Sequence, residues 1–269
     1  MTLHRNIASG FLLCAASLLA GCDQGARQAP APSAAPAPVP ETTAEASPPD
    51  LSGVWMAVGV VNPDGDSTAP VYSEEGRERL DAFRAQFSEL PEAGAACVGS
   101  GMPGVMLSLV SYPIEFVQND SRILMVAELE TQVRRVFIDG RAHPETAFPT
   151  NVGHSSGEWD GDTLVVDTKM FEPWPLAPWP RSEDARIVER FSMTTMDQMP
   201  VQRQGFLAGV VPALNDDVLM VDLTVTDPAY YDGPQHRIAY YQRMADDVTS
   251  EYACSRGLWE DDLENYRNN

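Results

Sequence analysis

Beyond residue 50 the apolar and polar positions alternate with a period near two for most of the chain. Alternation of that kind marks strands with one buried face. Strands are predicted at 51–61, 112–118, 122–129, 131–138, 153–159, 163–171, 186–193, 218–226, 236–244 and 248–254. Turn chemistry stands between several of them, at Asn119-Asp120-Ser121, Asp139-Gly140 and Asp160-Gly161-Asp162. One stretch has helical spacing instead, with Ser73 as N-cap and Leu80, Phe83 and Phe87 along one face. Sequential hairpins without βαβ alternation predict a mainly β fold. It is expected to be an antiparallel meander, closed or curled into a barrel, with one helix near the N-terminus. Two stretches, 172–180 and 196–215, read as irregular.

The same alternation sorts side chains by face. Leu219, Val221, Leu223 and Val225 share one face of their strand, as do Ile123, Met125, Ala127 and Leu129 of theirs. Two strands carry charge where the pattern demands burial. Arg134 and Arg135 are adjacent, so they project to opposite faces and one of them points toward the core. Glu189 shares a face with Ile187, Phe191 and Met193. An unpaired charge there costs several kcal/mol, so each needs a partner. They pair with one another, or they face a wet barrel end where an arginine anchors a ligand carboxylate.

The first 49 residues follow another logic. His4 and Arg5 precede an apolar run at 7–20 that is too short to span a bilayer as a mature helix. Leu18-Leu19-Ala20-Gly21-Cys22 then has the form of a lipobox. The division expected is a lipoprotein signal at 1–21, a disordered Pro/Ala-rich tether at 22–49, and a single β domain at 50–269. Cys22 would carry the lipid; the alternative is ordinary signal cleavage that leaves it a free thiol. The lipid would hold the protein in the cell envelope, facing the periplasm, with inner or outer membrane left open.

Four cysteines then divide simply. Cys14 leaves with the signal and Cys22 is lipidated, which leaves Cys97 and Cys254. In an oxidising compartment such a pair reads as a disulfide, worth about 5 kcal/mol in the chain-entropy picture. The redox alternative lacks a Cys-x-x-Cys context. The net charge of −21 and the single lysine, Lys169, leave no basic patch for nucleic acid.

Three histidines remain in the mature chain, His143, His154 and His236. No short spacing links them, so no metal site is expected and no cofactor is assigned. His154 stands apart because Gly153, Ser155, Ser156 and Gly157 leave its imidazole room for a ligand or a proton. The alternative is a ring bonded to a loop carbonyl. Trp174 and Trp179, in the Pro-rich stretch, either cap a ligand mouth or cover a barrel end. No phosphate loop, nucleophile elbow or zincin motif occurs.

These segments resemble a widespread family of uncharacterised secreted and lipoprotein-type bacterial proteins. The matching pieces are Leu51-Ser52-Gly53-Val54-Trp55, Tyr112-Pro113-Ile114-Glu115-Phe116-Val117-Gln118 and Val133-Arg134-Arg135-Val136-Phe137-Ile138-Asp139-Gly140-Arg141-Ala142-His143-Pro144. The block from Gly153-His154-Ser155-Ser156-Gly157 to Val166-Asp167-Thr168 follows, then Val188-Glu189-Arg190-Phe191 and Glu251-Tyr252-Ala253-Cys254. The opening Gly-x-Trp strand is also similar to lipocalin-type barrels. The resemblance implies architecture and no activity. Family members often carry a His-Ser pair before the Glu-Arg-Phe strand, where this chain has Arg181-Ser182.

The function expected from all this is an envelope lipoprotein whose lipocalin-like barrel holds an apolar or amphipathic small molecule. Arg134, Arg135, Trp174 and Trp179 are its candidate ligand-binding residues. A second reading is a lyase, isomerase or hydrolase at the barrel mouth, with His154 as acid or base and Glu189 orienting it. A third is a structural or partner-binding protein with a solid barrel.

Overall fold

The computed structural model describes residues 47–86, 99–108, 112–146, 148–200, 214–245 and 249–250. Nine strands close into one barrel in chain order: β1 (Gly53–Val61), β2 (Ile114–Asn119), β3 (Arg122–Ala127), β4 (Gln132–Phe137), β5 (His154–Asp160), β6 (Thr163–Lys169), β7 (Arg186–Thr195), β8 (Leu214–Thr226) and β9 (Gln235–Met244). The mainly β barrel follows from the alternation. Cys22, Cys97 and Cys254, the signal and all but the last residues of the tether lie outside the described residues, as does most of the tenth expected strand.

The meander has one exception to antiparallel order. Strands β4 and β5 run parallel, joined by only Val136↔Ser155 and Phe137↔Ser156. Parity requires an exception, because a ring of nine strands cannot alternate direction at every step. Asp139-Gly140 is therefore not a hairpin turn. It opens a crossover, residues 138–153, that must return along the barrel to begin β5 in the same direction as β4.

Among the described residues the interior holds a packed cluster of side chains. Trp55, Phe116, Ile123, Val136, Leu164, Phe191, Val221 and Leu223 are all buried in one cluster. Strand β1 is covered on its outer face too, where Met56 and Val58 pack with Val218 and Tyr240. A cavity of about 10 Å³, room for one water, lies among Val105, Met106, Ile114, Met125, Ala127, Gln132, Arg134 and Val152.

The chain segments after β1, between β6 and β7 and between β8 and β9 lie at the same end and close it. Helix α1 (Glu74–Gln86) starts where expected: the Gly76 amide donates to Ser73 Oγ at 2.9 Å. A side chain at Gly76 would collide with the Tyr230 carbonyl, so this close approach requires glycine. A second helix, α2 (Gly104–Leu107), is too short to show periodicity and was not foreseen. The Tyr241 hydroxyl, buried in the core, donates to its Met106 carbonyl at 2.5 Å.

Candidate functional site

Register places two sets of polar residues on opposite sides of one wall. Gly157, Val166 and Glu189 align across β5, β6 and β7, as do Ser155, Thr168 and Ile187, and both rows face inward. The intervening rows face outward and hold His154, Ser156, Asp167 and Arg186.

Inside, Arg134 is the inward arginine and Glu189 is its partner. Its Nη1 donates to Glu189 Oε1 at 2.9 Å, and Nη2 bonds Glu189 Oε2. The remaining donors reach Ser155 Oγ at 3.1 Å, Thr168 Oγ1 at 2.9 Å and Met125 Sδ at 3.8 Å. Every guanidinium N–H is used, so the pair is a closed structural unit with no donor left for a ligand. Arg135 is exposed on the outer face. Burial, followed by the nearby Glu189 carboxylate, pushes the Tyr241 phenol well above its ordinary range.

The tryptophans belong to the closed end. Trp179 is buried, edge-on to Tyr231, while Trp174 is half-buried and its backbone pairs both ways with Arg181 at 2.8 Å. Arg181 is only 1% exposed. It donates to the Ser100 and Met102 carbonyls at 2.8 Å and to Asn151 Oδ1. Burial lowers its pKa to about 10, which leaves it charged at neutral pH. These contacts hold loops together.

Outside, the crossover brings to His154 a second histidine that spacing gave no reason to expect. His143 Nδ1 lies 2.9 Å from His154 Nδ1, and His143 Nε2 lies 3.3 Å from Asp167 Oδ2. Asp167 is held in turn by Arg186 Nε at 2.7 Å and Lys169 Nζ at 3.1 Å. The Phe137 ring stacks on His154 at 5.3 Å, and the Arg141 guanidinium lies over Phe137 at 4.1 Å. Ser156 Oγ fixes the crossover by donating to the Arg141 carbonyl at 2.7 Å. Gly153, with φ +69°, lets the chain enter β5: a Cβ there would lie 2.7 Å from the Phe171 ring and 2.8 Å from the Lys169 carbonyl oxygen.

The proton inventory of this cluster is tightly limited. Two ring nitrogens 2.9 Å apart share one proton between them. With Asp167 accepting from His143 Nε2–H, neutral His143 presents Nδ1 as an acceptor. His154 then donates from Nδ1, and its Nε2 carries a lone pair. Burial first, then the proximity of His143 and the Arg141 cation, lowers the His154 pKa below the ordinary imidazole value. Burial alone would raise that of Asp167, but hydrogen bonds from Arg186 and Lys169 outweigh it and hold the carboxyl below its usual range. The result is a carboxylate and two imidazoles in series, with His154 held unprotonated at its far nitrogen, an arrangement acid–base chemistry can use.

Glu189 does not join this chain; it lies on the other face of the sheet from His154. The side chains in series with His154 are His143 and Asp167. His236 pairs with Asp222 at 2.8 Å and is not part of the cluster. Among the described residues no group of three His, Cys, Asp or Glu side chains is arranged to hold a metal ion. No protein-family model matches the chain, and no curated protein matches it in sequence.

Proposed function

We propose that this protein is a lipid-anchored envelope protein whose barrel is a rigid frame for an acid–base site on its outer wall. One observation carries the reading: the Asp167–His143–His154 chain, which leaves a lone pair on the far imidazole nitrogen of His154. Among the described residues the cavity beside Arg134 is about 10 Å³, too small for an organic ligand, and this favours a site on the wall. The reaction class is proton transfer in a lyase, isomerase or hydrolase, with His154 as base and then acid. Membership of the secreted and lipoprotein-type family that the chain resembles belongs to this reading. So do the lipid on Cys22 and the periplasmic orientation. Among the described residues no helix is long and apolar enough to cross a membrane.

An activated ester, p-nitrophenyl acetate, tests the site without knowledge of the substrate, because a basic imidazole cleaves it. Hydrolysis should be saturable, fall to background in His154→Ala, and drop in His143→Ala and Asp167→Asn, with unchanged melting temperatures. Wild-type rates no higher than those of His154→Ala would refute the acid–base reading. Incorporation of a clickable fatty acid that disappears in Cys22→Ser tests the anchor, and labelling that persists in the mutant would exclude it.

A further inference from the structure

The wall around His154 departs from the charge of the rest of the chain. The protein carries −21 overall and has a single lysine, and that lysine stands directly across from His154 in the β5–β6 register. Lys169, Arg186 and Arg141 all lie beside the imidazole pair or its carboxylate, and each side chain is close to half exposed. Against these three cations stand Asp167, shared by Lys169 and Arg186, and Asp139, held by Arg141.

One carboxylate therefore serves two full cations and a histidine. Arg186 uses only Nε on Asp167 Oδ1, and its two terminal nitrogens have no acceptor among the described residues. Lys169 contacts the other oxygen, Oδ2, which His143 also shares. A guanidinium fork and an ammonium left under-neutralised beside a basic imidazole form an anion site by their chemistry.

We infer that the site takes an anionic ligand, with a carboxylate or phosphate group held by Lys169 and Arg186 next to His154. The inference rests on the acid–base reading for what happens to the ligand, and on the cations alone for its binding. A background that repels anions makes the local positive patch selective, since only a group that reaches these cations gains from them. Free anions and anionic lipid headgroups share this chemistry.

Because Lys169 is the chain's single lysine, its acetylation by acetic anhydride reports the site directly, read by mass spectrometry on the full lipid-anchored protein in detergent. Benzoate or inorganic phosphate, at ionic strength held constant with sodium chloride, should slow the labelling several-fold. Phosphatidylglycerol vesicles, compared with phosphatidylcholine vesicles, form the second arm. Protection by free anions identifies a soluble ligand, and protection by phosphatidylglycerol alone identifies a headgroup; both support an anion site. Protection should vanish in Arg186→Gln and persist in His154→Ala. Absence of protection in both arms, or undiminished protection in Arg186→Gln, overturns the inference. Protection that persists while ester hydrolysis ignores His154 leaves the anion site standing and removes the acid–base reading instead.

Discussion

Arg134 and Glu189 are 55 residues apart in the chain and meet as a two-pronged ion pair inside the barrel, with side chains 3% and 0% exposed. Removing one partner leaves a buried charge alone. Glu189→Gln should therefore cost about 3 kcal/mol in urea unfolding, whereas replacing both residues by apolar ones of similar size should recover most of it. A change within about 0.5 kcal/mol for Glu189→Gln would contradict the buried pairing.

Arg181 ties the Ser100 and Met102 carbonyls to the closed end of the barrel. Arg181→Met fills the space but leaves those acceptors unmet. A loss of about 2 kcal/mol or more is expected, with ester hydrolysis at His154 retained in the folded fraction. Thermal melting and the hydrolysis assay together check this. Loss of activity without loss of stability would move Arg181 into the site.

The pKa of His154 is depressed in the folded protein. The unfolded chain therefore binds its proton more readily, and stability rises with pH between the folded and unfolded values. Stability is complete above the unfolded imidazole pKa and declines as pH falls below it toward the folded value. Melting temperature should drop as pH is lowered through the mildly acidic range, less so in His154→Ala. Parallel curves for the two proteins would show that His154 does not contribute.

Gly153 sets the entry of β5 with a positive φ and no room for a side chain. Gly153→Ala should cost about 1–2 kcal/mol for the left-handed backbone, plus the strain of the clash. Because the next residue is His154, hydrolysis should fall as well, in the fraction that is still folded. Circular dichroism melts beside activity assays separate the two effects.

Cys97 and Cys254 remain the expected disulfide of the mature chain. Thiol titration under denaturing, non-reducing conditions should find neither free. Two reactive thiols in the purified mature protein would end the idea.

Alternation made the barrel legible, along with the packed strand face of Leu219, Val221, Leu223 and Val225. It also made the inward arginine legible, since adjacent Arg134 and Arg135 cannot share a face. Strand direction was not legible, because a period of two reads the same in both senses. The parallel step from β4 to β5 was therefore hidden, and with it the meeting of His143 and His154. His154 stood out by its small neighbours. Asp167 lay unnoticed as an outward polar position in a half-buried strand, and only the register to Ser156 gives it its place.

The crossover between β4 and β5 differs from the strands it joins in what an inserted residue does to it. An extra residue in a strand slips the pairing and turns its core face toward water. An extra residue between Ile138 and Val152 lengthens a strap that passes over the outside and leaves all nine strands threaded as before. The strap carries Arg141 and His143, so its length resets what stands over His154. The crossover is a place where the chemistry over His154 can be refitted at little risk to the barrel, and it is a segment that parity forces the ring to have.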